Sequence, residues 1–432
     1  MAKAGKGKNS ESLIDRIPFY YGWVMVPVAV IAQSMTGVGQ TYGVSVFNPS
    51  FRSSLQISLS QLTGAYMFGT LLAALPQPYI GSLMDRFGIR RTMTWVVILL
   101  GLACLFISRV QGLVSLLLGF FLLRLLGQGA LSLLSGNIPP MWFRKKLGTV
   151  TGLISSGRSA SMAVVPPVFL ALISRFGWRS AYVLLGVLVW VIMLPLLGLL
   201  FRNNPGEIGQ TMDGVPDNEV ERAALNDDLD RSLNLKEARR TPAYWIATLS
   251  AALWSMIVTA IFFNLLPIFN SQGLSDGAAA ATYTTYAAAS IAAQLIAGPL
   301  ADKSRLQYLL AGCMGLMAVS VGVLSIANST WLAHTYAGLL GISTGLIAVL
   351  DGTLWPRYYG RKHLGKIRGS VITVQVAGSS VGPFITGVLF DWSGSYQTSF
   401  WVFLGLLLPA SVAAFWAVNP RADQESLSSP VS

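Results

Sequence analysis

Twelve apolar stretches alternate with short polar loops along the chain. Each has close to the roughly 20 residues that a helix needs to cross a bilayer core of about 30 Å. Six precede a polar segment at 202–241 and six follow it. The predicted spans are residues 20–46, 59–81, 92–108, 112–139, 147–173, 179–201, 243–269, 278–301, 308–328, 331–356, 367–390 and 396–418.

The two sets of spans are related copies. The run GSLMDRFGIRR from Gly81 returns 217 residues later as GPLADKSRLQY from Gly298, and RKKLGTVTG from Arg144 returns at the same offset as RKHLGKIRG from Arg361. We therefore predict an all-α membrane protein with twelve transmembrane helices in two pseudo-symmetric six-helix bundles.

The same pattern sets the predicted domain boundaries, with one polar linker between the bundles. The linker carries nine of the 18 acidic residues together with several Gly and Pro. This composition is typical of a solvated connection, and one short amphipathic helix is expected near 233–239. The predicted parts are an N-terminal tail 1–17, a bundle 18–201, a linker 202–241, a bundle 242–418 and a C-terminal tail 419–432.

Composition and charge agree with a chain that lies in lipid. Of its 432 residues 53% are hydrophobic and only 11% are charged. Threading the 30 Lys and Arg through twelve spans places 24 on the side of both termini, 4 on the other side and 2 within the membrane. The positive-inside rule then predicts cytoplasmic termini. The net charge of +12 reflects this topology and not a nucleic-acid partner.

Several kinds of chemistry are not expected. Cys104 and Cys313 both fall in apolar spans, and His334 and His363 lie near span ends, so neither a disulfide framework nor a metal site is indicated. The sequence has no phosphate-binding GxxxxGK[ST] run and no nucleophile–base pattern. We predict no cofactor, no metal and no enzyme activity.

A loop motif between the second and third spans points to a known family. Twelve spans in two halves, with G-x-x-x-D-R-x-G-x-R-R in this loop, resemble the major facilitator superfamily of secondary transporters. FYYGWVMV from Phe19 and RRTPAYW from Arg239 resemble its monocarboxylate transporter and oxalate/formate antiporter branch. The resemblance implies alternating access, a location in a prokaryotic-type inner membrane, and a chain that works as a monomer without a cofactor. The motif residues are Gly81, Asp85, Arg86, Gly88, Arg90 and Arg91.

The resemblance assigns this loop to a cytoplasmic gate. An aspartate can face the positive N-terminal end of a helix from the opposite half, and an arginine can reach a carboxylate. Pseudo-symmetry predicts that Asp302 pairs with Arg144 and that Asp85 pairs with Arg361. The alternative is that the basic residues only enforce topology.

Arg158 is the leading candidate for substrate binding. It lies twelve residues beyond Lys146, hence about 18 Å into the membrane at 1.5 Å per residue. An ionisable group at this depth is a functional candidate by default. A guanidinium binds a carboxylate through two parallel hydrogen bonds, so an anionic substrate is predicted. A structural role is the alternative.

Two further charged residues fall inside spans. Arg124 lies in FFLLRLLGQGALS, which resembles the superfamily's fourth span, where the arginine is often tied to proton coupling; it could equally hold carbonyls of neighbouring spans. Asp351 could relay protons, pair with Arg158 or Arg124, or hydrogen-bond at a helix break before Pro356. Protons or a counter-anion therefore remain open as coupling partners.

Uncharged polar residues complete the predicted site. The branch carries an arginine in the eighth span and a lysine in the eleventh, whereas this chain has Gln294 and Gln375 there. Gln375 lies 217 residues after Arg158, so the site's cation is expected in the N-terminal half instead. Helix packing is the alternative role for each. The other midspan candidates are Gln33, Thr36, Trp254 and Tyr286.

The sequence thus predicts a secondary active or facilitative transporter for a small organic anion such as a monocarboxylate. Its expected partners are this substrate and the lipid bilayer. Drug efflux and uptake of a metal or siderophore chelate are alternative activities, and a non-transporting sensor or scaffold on a transporter fold is an alternative of another class.

Overall fold

A computed structural model describes residues 19–57, 59–214 and 231–421. The predicted tail 1–17, most of the tail 419–432 and the middle of the linker lie outside the described residues. The described chain is almost wholly helical, as the apolar pattern predicts.

The N-terminal half contains ten α-helices. Arg124–Leu131 and Leu196–Leu200 are π-helical, so the backbone hydrogen bonds there join residues five apart instead of four. The α-helices are α1 Gly22–Met35, α2 Thr41–Val44, α3 Asn48–Leu55, α4 Leu59–Ala74, α5 Gln77–Phe87, α6 Ile89–Ile107, α7 Leu113–Leu123, α8 Ser132–Gly136, α9 Ile138–Trp142 and α10 Leu147–Pro195.

The linker and the C-terminal half contribute eight more. The short helix expected in the linker is α11, where Asn234 and Glu237 cap the first turn reciprocally. The helices are α11 Leu235–Ala238, α12 Pro242–Phe263, α13 Leu265–Ser271, α14 Asp276–Lys303, α15 Leu306–Ser325, α16 Thr330–Tyr359, α17 Leu364–Ser393 and α18 Gln397–Ala413.

The helices account for the twelve predicted spans, although fewer qualify singly as membrane-crossing. By length and composition, eight helices of the described chain could cross a membrane, and a bent pair, Gly22–Val38 with Thr41–Leu55, would make nine. The number is lower than twelve partly because α10 contains two predicted spans that join at Gly177, whose φ of 76° turns the chain. The second span is also broken, between α4 and α5.

Each half has its own hydrophobic core. One cluster of buried side chains runs from Tyr21 to Phe201, and the other runs from Ala238 to Ala417. Both are built from the inward faces of long apolar helices, while many large apolar side chains on the outer faces stay exposed. An outer apolar surface of this kind suits contact with lipid.

Candidate functional site: the interface between the halves

The two halves meet most closely at the end of the bundle that carries the loops 86–91, 144–146 and 361–366, here called the basic face. Glycines allow backbone contact across this interface. A Cβ atom on Gly81 would lie 2.0 Å from the Gly365 carbonyl oxygen, and one on Gly148 would lie 2.4 Å from that of Gly298. Any side chain at these positions would push the halves apart.

Asp85 crosses the interface to a helix N-terminus. Its carboxylate accepts hydrogen bonds from the backbone N–H groups of Gly365 and Lys366, at 2.9 and 3.0 Å. These groups belong to the first turn of α17, where the unpaired N–H groups and the helix dipole favour an anion. Burial nevertheless raises the pKa of Asp85 to about 6, since the two hydrogen bonds offset the loss of solvent only in part.

Asp302 makes the equivalent contact in the other direction. It accepts from the backbone N–H of Gly148 at 2.6 Å and of Thr149 at 2.9 Å, in the first turn of α10. Arg357, from the same half as Asp302, forms an ion pair with it at 2.6 Å. The two aspartates of the repeated motif therefore close the basic face symmetrically.

The predicted pairing of these aspartates with arginines is wrong. Asp302 binds the helix that follows Arg144, and Asp85 binds the helix that follows Arg361, but neither carboxylate lies against the predicted side chain. The reason is geometric, because the first turn of each helix presents its amides directly opposite the aspartate. Arg361 instead donates from Nε to the Pro140 carbonyl across the interface, at 2.6 Å.

The other residues of the loop motif have their roles within the N-terminal half. Gly88 has a φ of 83°, a conformation that favours glycine, and it separates α5 from α6. Arg90 donates from Nε to the Leu197 carbonyl at 2.8 Å and so ties the loop to the end of the sixth span. Arg86 lies over the Phe87 ring, and Arg91 is exposed.

Arg368 also joins the two halves, and the sequence reasoning missed it. Its side chain is buried, with the residue 4% exposed, and donates to the Gly136 carbonyl at 2.6 Å and the Asn137 side-chain oxygen at 3.2 Å, both in the other half. It also forms an ion pair with Asp351 at 3.0 Å. The repeat offers a signal for it. The equivalent position of the first half is Thr151, 217 residues earlier, so Arg368 is a cation that only one of the two copies carries.

This ion pair corrects one prediction for Asp351. Of the three alternatives for Asp351, the pairing with Arg158 or Arg124 is wrong, because Arg368 on the next helix of the same half forms the ion pair instead. Asp351 is thereby placed beside the interface between the halves rather than beside Arg158.

Arg124 is held within the N-terminal half. It is 4% exposed and donates from Nε to Thr70 Oγ1 at 3.1 Å and from Nη1 to the Gly39 carbonyl at 3.1 Å. Its guanidinium also lies 5.0 Å from the Tyr66 ring centroid. These contacts join three spans at the break in the first one, which matches the alternative in which Arg124 holds carbonyls.

Arg158 has a different environment. Its side chain is exposed, and it makes no hydrogen bond or ion pair with the part of the chain that the structure describes. It interacts electrostatically with Tyr42 of its own half and with Tyr286 of the other half. An arginine in the middle of a predicted span thus faces the region between the halves with its donors available.

Gln294 is brought next to Arg158. Its Nε2 donates to Ser159 Oγ at 3.0 Å, across the interface, and to Ser290 Oγ at 3.0 Å within its own helix. Gln294 thus contacts the residue next to Arg158, and Tyr286 of the same helix interacts electrostatically with Arg158.

The remaining candidates are more dispersed. Thr36 donates to the Gln33 carbonyl at 2.6 Å, so these two are neighbours on the first span. Gln33 Oε1 and Trp254 Nε1 are buried polar atoms that have no hydrogen-bond partner in the described chain. Gln375 is half-buried, and no described contact joins it or Trp254 to Arg158.

Comparison with known proteins identifies the family. The sequence profile of the Major Facilitator Superfamily matches residues 29–285 and 267–431. The solved structure of the proton:xylose symporter XylE superposes with a TM-score of 0.68, covers 91% of this chain and 94% of that one, and shares 14% sequence identity. This likeness concerns the fold.

Named relatives are distant but extend over most of the chain. Monocarboxylate transporter 11 of Mus musculus is 24% identical over 90% of this chain and 86% of its own length. The probable L-galactonate transporter of Escherichia coli is 25% identical over 86% and 84%. The oxalate:formate antiporter of Oxalobacter formigenes is 24% identical over 61% and 58%. The chain, an integral membrane protein and not an enzyme, belongs to the Major Facilitator Superfamily of transporters.

Proposed function

We propose that the protein transports a small organic anion and that Arg158 binds its carboxylate. The observation that carries this proposal is the guanidinium of Arg158, which is exposed between the halves without a hydrogen-bond or ion-pair partner among the described residues. A charge in the middle of a span is costly, and proteins keep it there for function or pair it. A bound anion would supply the missing partner.

The neighbours of Arg158 suit such a ligand. Tyr286 and Tyr42 bring hydroxyl groups from both halves into its electrostatic range, and Gln294 reaches the adjacent Ser159. Groups from both halves around one cation allow a substrate to be held at the interface while the halves rock. The relatives named for monocarboxylates, oxalate with formate, and L-galactonate are named for carboxylate compounds, which supports the same class.

The conformation suggests the direction in which the site opens. The hydrogen bonds of Asp85, Asp302 and Arg368 join the halves at the basic face. We propose that this face is cytoplasmic, in a prokaryotic-type inner membrane, and that the chain works as a monomer of two six-helix bundles. Breaking these contacts would open the site toward the cytoplasm.

We propose exchange or facilitated diffusion rather than proton symport. A symporter needs a titratable group that is exposed alternately to each side. Asp351, the acid that lies inside a predicted span, is bound to Arg368 at the interface. Transport driven by an imposed pH gradient would contradict this part of the proposal.

The test replaces Arg158 with Gln and measures uptake of labelled small carboxylates in proteoliposomes. We expect a loss of apparent affinity of about 10- to 150-fold, which follows from about 1.5–3 kcal/mol for hydrogen bonds to a charged group. Arg175→Gln is the matched control, because Arg175 is also exposed on α10 but lies near its turn at Gly177. Unchanged affinity in Arg158→Gln would remove Arg158 from the site.

A further inference from the structure

A second basic site lies apart from Arg158, on the basic face beside the C-terminal half. It is a cavity of about 460 Å³, and its described lining includes four basic side chains and no acid. The lining residues are Leu235, Lys236, Arg239, Arg240 and Lys366. The proposed transport mechanism uses none of these side chains.

Two separate elements build this cavity and hold it in shape. Lys236, Arg239 and Arg240 lie at the end of the linker, just before α12, whereas Lys366 lies in the first turn of α17. Arg239 donates from Nη2 to Ser370 Oγ at 2.6 Å, so one of the four cations fixes the two elements together. All four basic residues are exposed.

The cavity lies at the edge of the membrane. Trp245, in the first turn of α12, donates from Nε1 to the Arg239 carbonyl at 2.8 Å and is 45% exposed. Tryptophans favour the headgroup level of a bilayer, where the ring is half in lipid and the N–H group is hydrogen-bonded. The four cations therefore stand at the depth of lipid headgroups.

Among the residues that the structure describes, most charges around the cavity are positive. Besides the lining residues, Lys362 and His363 lie on the same side, and burial, followed by the charge of Lys362, lowers the pKa of His363. Of the described acids nearby, Glu237 accepts the Asn234 backbone N–H at 2.7 Å in the α11 capping box, and Asp85 accepts the Lys366 backbone N–H at 3.0 Å. An anion in the cavity would relieve the repulsion among the cations.

We propose that this cavity binds a phosphate group, supplied by the headgroup of an anionic phospholipid. Basic pockets at the cytoplasmic ends of membrane helices bind such headgroups, and arginine with lysine provides both paired hydrogen bonds and charge. The site is independent of the transported substrate, so its test does not depend on the proposed function.

The test counts phosphatidylglycerol molecules bound to the purified full chain by native mass spectrometry, with a second arm that titrates inorganic phosphate. The cavity variant is Arg240→Gln with Lys366→Gln, which leaves the Arg239–Ser370 contact in place. The matched control is Lys145→Gln with Lys146→Gln, which removes the same charge from exposed positions of the N-terminal half. Thermal unfolding in detergent verifies that both variants fold.

We expect the cavity variant alone to bind phosphatidylglycerol about 30-fold more weakly, which corresponds to about 2 kcal/mol for two basic residues. Phosphatidylcholine should bind equally to all three proteins. A cavity-specific loss seen with inorganic phosphate but not with the lipid would overturn the lipid source. An equal loss in both double variants, or no loss in either, would overturn the site itself.

Discussion

Replacing Arg368 with Met should release the basic face. Met retains the apolar stem and removes the guanidinium, so the hydrogen bonds to the Gly136 carbonyl and to Asn137 are lost. Both acceptors belong to the other half, whereas the ion-pair partner, Asp351, belongs to the half of Arg368 itself. When the basic face opens, the contacts with Gly136 and Asn137 break, whereas the ion pair with Asp351 persists. The substitution therefore destabilises the closed state relative to the open state.

The expected size follows from these two contacts. A hydrogen bond that involves a charged group contributes about 1.5–3 kcal/mol. The contact at 2.6 Å is short and the one at 3.2 Å is long, so we take about 3 kcal/mol for both. The ratio of open to closed molecules should then rise by roughly 150-fold.

Maleimide labelling of a reporter cysteine measures this ratio. Met84→Cys is a suitable reporter, because Met84 is 3% exposed and lies against Gly365 across the interface. The native Cys104 and Cys313 are both buried, so background labelling should be low. When opening is fast relative to labelling, the labelling rate is proportional to the open fraction.

Arg90→Gln is the matched control. Arg90 also donates to two backbone carbonyls, those of Leu197 and Gly198, but both lie in its own half. The Arg90→Gln substitution should leave the labelling rate at position 84 within a few-fold of the rate in the protein that carries only Met84→Cys. An Arg368→Met protein that is folded yet labels no faster would show that Arg368 does not hold the face shut.

Two further predictions use the same reporter. Because burial raises the pKa of Asp85 to about 6, above the roughly 3.9 of a solvated carboxyl, the closed face binds this proton more tightly than the open one. Its stability relative to the open face should therefore be greatest below pH 4 and decline as the pH rises through 6, and Asp85→Asn should abolish this decline. Because maleimide reacts with the thiolate, whose fraction itself rises with pH, the labelling rate at each pH is divided by that of the Asp85→Asn protein with the same reporter; a ratio that does not rise with pH would contradict the prediction. Gly81→Ala should favour the open face, since the new Cβ would lie 2.0 Å from the Gly365 carbonyl oxygen. Gly315→Ala, at a position with no heavy atom within 4 Å of the added Cβ, is its control, and equal labelling of the two variants would show that the close approach does not govern the gate.

The importance of glycine and aspartate in the loop motif could be predicted from the repeat, but their partners could not. Asp85 and Asp302 were expected opposite arginines, and each binds helix amides instead. Every residue except proline carries a backbone N–H group, so the sequence does not show which of these groups are left unpaired at a helix N-terminus. The contacts of main-chain donors depend on where the chain folds, so spacing alone could not reveal them.

The sequence shows which charged residues lie inside a span, but it does not show which of them are paired. Arg158 and Arg124 both stood out because an apolar stretch makes any charge conspicuous. Only the fold separates them, since Arg124 is satisfied by Thr70 and Gly39 while Arg158 stays exposed. Arg368 escaped notice at a span end, where a basic residue is ordinary, and its burial against Gly136 arises from the approach of the two halves.

The membrane class, the twelve apolar stretches and the duplication can all be read from the sequence, because hydrophobicity and repeat spacing are properties of the linear chain. The sequence also marked the two aspartates and Arg158, since polar groups in an apolar context carry information without a structure. The folded structure is needed to know which end of the bundle is closed, which cations are paired and which remain available. These depend on contacts between residues more than 100 positions apart, such as Asp85 with Gly365, and proximity of that kind exists only when the halves have packed.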